Sequence, residues 1–270
     1  MRCRARQRRE GALGVRDLVR LRDRAYGVGR SLWMYHGRPG RAARLGRFYA
    51  RFVRPGDLCF DIGAHVGSRT LCWARLGARV VALEPQPDLA LVLRVLCWPE
   101  RGVTVLRQAV AARPGSVVLR LSPRTPTVTT GSADFVAETR RVPGFARVEW
   151  SGRLEVPATT LDRLVATHGE PAFVKIDVEG MEHEVLAGLS RPLRALSFEF
   201  VPSSPASALA SVDRLGALGR YAFNAALGEE PGLLLDRWVD AAAIRRWLES
   251  RDPEGDSGDV YAVLTDVGGR

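Results

Sequence analysis

Lysine is nearly missing from this 270-residue chain: of forty basic residues, only Lys175 is a lysine. Histidine and cysteine are also sparse, at four each, and Cys3, Cys59, Cys72 and Cys97 show no CxxC spacing. That pattern excludes a structural zinc site of the usual kind, and three of the thiols fall in apolar strand or helix segments. No apolar run reaches the ~18 residues of a membrane span. The N-terminus is charged but has no hydrophobic region, unlike a secretory leader. Together these absences point to a reduced, cytoplasmic protein. There is no internal repeat and no clean linker, and 46% apolar composition is enough for one substantial core.

The charge of +10 is confined to one end. Residues 1–54 hold sixteen arginines against Glu10, Asp17 and Asp23, a net of +13, so the other 216 residues carry about −3. A basic arm can bind nucleic acid or anionic lipid headgroups. An arginine-biased composition accounts for it equally well. Aromatic residues are thinly interleaved and no RNA-binding motif is legible, so nucleic acid is possible but not favoured.

What is present is a strand, turn, helix, strand sequence around Phe60-Asp61-Ile62-Gly63-Ala64-His65-Val66-Gly67. An apolar-periodic segment (Leu71, Trp73, Ala74, Leu76) follows, closed by Gly77. A second buried strand, Arg79–Leu83, then ends in Glu84. This is the nucleotide-binding half of a doubly wound sheet, with an acid near the ~20-residue spacing at which a carboxylate meets a ribose hydroxyl. Glycine lets the backbone approach a ligand, and the next helix offers unpaired N–H groups. A dinucleotide fingerprint needs GxGxxG, which this turn lacks, and that disfavours a nicotinamide oxidoreductase.

Periodicity places the remaining elements. Residues 1–54 read as a helical extension broken at Arg38-Pro39-Gly40, and Pro55-Gly56-Asp57 launches strand one. Asp88 is placed to cap a helix running through Trp98. Strand three is Val103–Leu106, and 116–121 reads as an extra strand beside the core. Residues 122–154 look irregular and are expected to form a substrate-side loop carrying Thr129-Thr130-Gly131-Ser132, with Trp150 the tryptophan placed to touch substrate. Thr160 caps a short helix, Ala172–Val178 makes strand four, and Glu179 opens the next helix. Strand five, two further helices and two further strands end the order. The expected partition is an extension over 1–54 and a catalytic domain over 55–266, with the 122–154 insert.

The acid, then GxxxG, resembles the first motif of class I S-adenosylmethionine-dependent methyltransferases. Downstream, Pro157-Ala158-Thr159-Thr160-Leu161-Asp162 and Val174-Lys175-Ile176-Asp177-Val178-Glu179-Gly180-Met181-Glu182 are similar to the T-x-L-D and K-x-D-x-E-G-x-E signature of the FkbM-type methyltransferase family. Glu84-Pro85 and Gly131-Ser132 are similar too, and the match covers about residues 53–264. The resemblance implies a Rossmann-like, seven-stranded α/β sheet, mostly parallel, with the last strand antiparallel. It implies S-adenosylmethionine as cofactor and O-methylation of a sugar, glycan or natural-product hydroxyl. Cofactor contacts are expected from the turn (Asp61, Gly63, Ala64, His65, Gly67), from Glu84 and Pro85 after strand two, and from Ala109 and Asp177. An RNA methyltransferase and a non-catalytic cofactor-binding module are the alternatives.

Strand ends put Asp61, Glu84, Asp177 and Glu199 on one rim. Acceptor-side candidates are Asp177, Glu179, Lys175 and His65. Lys175 shares a strand face with Asp177, and burying a lysine in an apolar strand is costly unless it is paired; otherwise it lies on an exposed edge. Glu179 and His183 stand i,i+4 on a helix as a base pair of groups, or are simply first-turn acid enrichment. No metal is expected, because no second histidine joins Asp177. His65 replaces a glycine common in that family and is either a turn residue or a group facing the reaction. Asp162 is expected to stabilise the start of its helix, and His36 and His168 to lie on the surface or in loops.

Overall fold

A computed structural model describes residues 15–229 and 232–265, so Cys3 and Glu10 lie outside the described residues. Short runs that are buried almost throughout, apart from Arg79 and Glu199, form its centre. These are β1 (Leu58–Ile62), β2 (Arg79–Leu83), β7 (Phe173–Ile176) and β8 (Ala195–Phe200). Continuous apolar strands of this kind are what a parallel sheet covered on both faces requires. Among the described residues, seven strands pair in the order β3-β2-β1-β7-β8-β10-β9, where β3 is Val103–Leu106, β9 Tyr221–Leu227 and β10 Gly258–Leu264. All are parallel except β10, which runs antiparallel to both β8 and β9. The expected seven-stranded, doubly wound α/β sheet with an antiparallel last strand is therefore present.

Period-two alternation divides the core. Phe60, Ile62, Val81, Leu83, Val174, Ile176, Leu196 and Phe198 face helices α6 (Leu161–His168), α7 (Glu182–Ala187), α8 (Ala206–Leu218) and α9 (Ala241–Glu249). Cys59, Val80, Phe173 and Tyr261 face the other way, toward α2 (Arg41–Tyr49) and α3 (Ser68–Arg75). There Tyr49, Trp73 and Phe173 meet edge to face at 5.4–5.7 Å, an arrangement worth about 0.5–1.5 kcal/mol per pair beyond the area buried. Cys59, Cys72 and Cys97 are free, and burial pushes each thiol upward, to about 11 for Cys72. They are core residues.

Several expectations change. The 115–121 segment does not extend the main sheet. It forms β5 (Gly115–Leu121), antiparallel to β6 (Gly152–Thr159), with β4 (Ala109–Val110) on the other edge of a separate three-stranded sheet. Residues 122–154 are not irregular throughout. They contain α5 (Ala133–Thr139), capped by Ser132 Oγ, which accepts the Phe135 N–H, and two 3-10 turns. Helix α4 (Pro87–Cys97) starts after Gln86 without a side-chain cap, and Asp88 instead pairs with Arg24 of α1 (Val15–His36). Thr160 Oγ1 does cap α6 by accepting the Arg163 N–H, and Asp162 reaches sideways to the Ser190 N–H.

Candidate active site

The carboxyl ends of β1, β2, β7 and β8 open into a cleft lined by Ile62, Leu83, Pro85, Val110, Val117 and Leu119 on its apolar side. Strand three's exit supplies Gln108 and Ala109, and the 126–131 segment contributes Pro126, Thr127, Thr129 and Gly131. Five carboxylates also line it: Glu84, Asp177, Glu179, Glu199 and Glu229. Among the described residues no arginine or lysine does.

The glycine turn is fixed by close approach. Gly63 has φ +80°, and a Cβ there would stand 1.8 Å from the Asp177 carbonyl oxygen, so the β1 and β7 ends pass each other bare. His65 also takes a left-handed backbone, at φ 51°, and its N–H donates to Glu84 Oε2 at 2.9 Å. The Gln86 N–H donates to Glu84 Oε1 at 2.8 Å. Glu84 is 3% exposed, and burial, against these two N–H donors, pushes its carboxyl up to about 7. His65 thus sits in the turn with a left-handed backbone and is among the residues lining the cleft. The imidazole lies edge-on to Tyr35 at 5.3 Å, its Nε2 is buried without a partner, and burial lowers it to about 4, leaving it neutral at pH 7.

Gly67 lies elsewhere. It precedes α3 at φ +78° with Leu93 against it, and it lines neither the cleft nor the recess beside it, so its requirement is packing. That recess is lined by Asp61, Ala64, Ser68, Arg69, Lys175 and Asp177 among others. Asp61 is therefore behind the main cleft, accepting from Thr70 Oγ1 and facing Lys175 across the β1–β7 register.

Lys175 is on a central strand and 3% exposed, so the exposed-edge reading does not hold. Its Nζ lies 2.8 Å from Asp259 Oδ1 and 3.0 Å from Asp177 Oδ2. Burial disfavours the ammonium, but Asp177 and Asp259 outweigh it and hold Lys175 well above its ordinary range. The ion pair also fixes the Asp177 carboxylate at the cleft wall.

Glu179 does not open a helix. It sits in the turn before α7 at φ 55°, followed by Gly180 at φ +89°, so the expected i,i+4 pairing with His183 is absent. Glu182, 2% exposed, holds this turn by accepting the Val178 and Gly180 N–H groups and the Ser207 hydroxyl. His183 turns to Ser207 and Glu184. Thr130 Oγ1 donates to the Glu179 carbonyl at 2.6 Å, which ties the 126–131 segment to the site. Trp150 stays outside the cleft, donating to the Val128 carbonyl.

Asp177, Glu179 and Glu199 each offer an oxygen within 4.8 Å of the others. Burial and the neighbouring Asp177 raise both glutamates well above the ordinary carboxylate range, and Glu199 Oε2 is buried without a partner. Three such oxygens could ligate a divalent cation, although Lys175 already supplies a positive charge at Asp177. Two groups had no local signal in the sequence. Glu229, in the turn after β9, accepts from Arg41 at 2.8 Å and Arg69 at 2.7 Å, and Tyr35 at the end of α1 donates to it. His36 is exposed at the end of α1, as expected of a surface residue, with Nε2 2.8 Å from the Val66 carbonyl.

The arrangement suits a cationic cofactor with an apolar base. Its glycine crossing leaves bare backbone where Gly63 sits, Glu84 offers carboxylate oxygens at the strand-two end, and the five acids favour a positive centre over an anionic one. The chain is 29% identical over 149 residues to the hexuronic acid methyltransferase AglP of Haloferax volcanii, which covers 54% of this chain and 55% of that one, so it spans about half the length of this curated relative. Among solved structures it is similar to an O-methyltransferase from Bacillus cereus in complex with SAH (TM-score 0.44, 15% identity, 92% and 91% of the two chains). Another is a TehB-like SAM-dependent methyltransferase from Corynebacterium glutamicum (TM-score 0.48, 9% identity, 90% and 98%). Residues 61–252 match the methyltransferase FkbM domain, and the chain belongs to that S-adenosylmethionine-dependent methyltransferase family.

Proposed function

We propose that this methyltransferase acts on a hydroxyl oxygen of a neutral saccharide or related natural product. The observation that carries the reading is the cleft wall itself: five carboxylates, no arginine or lysine among the described residues, and an apolar face opposite. Carboxylates accept hydrogen bonds from hydroxyl groups, whereas a phosphate-rich acceptor would meet like charge. The similarity to a hexuronic acid methyltransferase supports a saccharide acceptor.

S-adenosylmethionine supplies a methyl group on a positively charged sulfonium, a leaving group that needs no acid. The residues of this chain would hold it through the bare backbone at Gly63, the Glu84 carboxylate and the apolar wall near Pro85 and Ala109. Asp177, fixed by Lys175, accepts the hydrogen bond of the acceptor hydroxyl and takes its proton as the oxygen attacks. Glu179 and Glu199, pushed upward by burial and by Asp177, present carboxyl groups to neighbouring hydroxyls of the same sugar. His65, neutral and unpartnered at Nε2, faces the same space and excludes water. Alignment at near-attack distance then provides most of the rate.

The test is transfer of labelled methyl from S-adenosylmethionine to neutral hexosides, uronic acids and an RNA transcript. Alkali-stable methyl ethers on neutral sugars are expected, lost in Asp177→Asn with cofactor binding retained. Alkali-labile methyl esters on uronic acids, or transfer to RNA, would overturn this reading.

A further inference from the structure

Ten large apolar side chains stand exposed among the described residues, and eight of them lie on two helices. Helix α1 presents Leu18, Val19, Leu21, Tyr26 and Trp33. Helix α4 buries Leu89, Ala90, Leu93 and Cys97, yet carries Leu91, Val95 and, at its C-terminal cap, Trp98 on its outer side at i, i+4 and i+7. Trp98 is 88% exposed. A helix stripe of that spacing normally faces a core. The two helices are tied to each other by the Arg24 guanidinium on the Asp88 carboxylate.

Arginines outnumber acids along the two helices, six to three. Arg22 and Arg30 on α1 and Arg94 on α4 are exposed beside the apolar groups. Among the described side chains, Asp23 is paired with Arg22 and Arg124, Asp88 with Arg24, and Glu100, near Trp98, lies 3.7 Å from Arg75. The sequence adds a net of +13 over residues 1–54. Leucine and valine have no ring on which a base could stack, so a single-stranded nucleic acid would leave five of the eight apolar groups unused. Two tryptophans and a tyrosine among leucines, valines and arginines match what the headgroup zone of a bilayer accommodates, with apolar tips below and guanidinium groups at the phosphates. Among the described residues no helix is long and apolar enough to cross a membrane, so such contact would be with one leaflet only.

We infer that α1 and α4 form a docking surface for an anionic lipid bilayer. The consequence for catalysis is positional. Helix α1 ends in Tyr35 and His36 against the cleft rim, so the element that meets lipid also borders the site.

Sedimentation with phosphatidylcholine vesicles, with and without phosphatidylglycerol, tests this on the full chain. The protein should pellet with the anionic vesicles and not with phosphatidylcholine alone, and the bound fraction should fall as salt rises. The Trp33→Ser/Trp98→Ser double variant should bind roughly tenfold more weakly or worse. Both residues are exposed, so its S-adenosylmethionine affinity and thermal transition should match the parent. The inference is overturned if anionic vesicles fail to pellet the parent at low salt, or if the double variant binds them as the parent does. It is also overturned if the stripe proves to join two copies, seen as a dimer that Trp98→Ser dissociates without any vesicle binding by the parent.

Discussion

Glu229 accepts the phenolic hydrogen of Tyr35 at 3.0 Å, joining the turn after β9 to a helix 194 positions earlier in the chain. The other carboxylate oxygen takes Arg41 and Arg69, and Arg41 is only 2% exposed. One side chain thus holds three helices, α1, α2 and α3, against the cleft.

Removing that anion leaves two buried guanidinium groups uncompensated. Glu229→Gln should lose about 2–4 kcal/mol in urea unfolding at pH 7. Although burial alone would raise it, Arg69 and its neighbours bring Glu229 down to about 2. Its folded value lies below the unfolded one of about 4.3, so its stabilisation is present above that pH and is lost as pH falls toward 2. The gap between parent and variant should close over that window; a gap constant from pH 7 to 2 would refute the assignment.

Glu84 titrates where enzymes are assayed. Burial pushes its carboxyl up to about 7, and the ionised form is the one that accepts ribose hydroxyls without surrendering an oxygen to its own proton. S-adenosylmethionine affinity, measured by calorimetry, should rise between about pH 6 and 8 and then level. Glu84→Gln should bind more weakly and flatten that profile. A parent profile equally flat would show that Glu84 does not meet the cofactor.

At Gly63 the expectation is all-or-none. An alanine Cβ would collide with the Asp177 carbonyl at a backbone φ of +80°, and neither strand end can yield without moving the site. Gly63→Ala should abolish cofactor binding. Gly56→Ala, also at positive φ but with open space around it, should cost about 1 kcal/mol of stability and leave binding intact.

The Lys175 pair separates chemistry from folding. Asp177→Asn keeps shape but removes the proton acceptor, so kcat should fall about 10²–10⁴-fold with a small change in cofactor Kd. Lys175→Met strands Asp259 and Asp177 beside it and should destabilise by about 3–5 kcal/mol, visible in a denaturant titration. If Lys175→Met folds as well as the parent, the buried ion pair is not what positions Asp177.

Much of this was legible in the chain because it is local. The runs Leu58–Ile62 and Phe173–Ile176 are apolar enough that only a doubly covered sheet satisfies them, and a positive-φ residue at position 65 follows from the glycine turn. Thr160 is a cap because its hydroxyl needs only the N–H three residues on. Errors arose where a local pattern had two solutions. Glu179 fits the first turn of a helix by sequence, but Glu182 captures the Val178 and Gly180 N–H groups and keeps the backbone out of it. Residues 122–154 lack strong periodicity, yet packing of Phe135 against Gly180 and capping by Ser132 fold α5 there.

The sequence by itself determined the buried strands and the glycine turn, since hydrophobic period and short-range sterics govern both, and its motifs carried the resemblance to the methyl-donor family. Only the tertiary structure decided the chemistry's surroundings. Asp259 beneath Lys175, Glu229 beside Tyr35, and the Asp177, Glu179 and Glu199 cluster join residues 84, 194 and about 20 positions apart. Buried charge must find a partner wherever the fold brings one within reach, and that partner's place in the chain follows from topology, not from spacing.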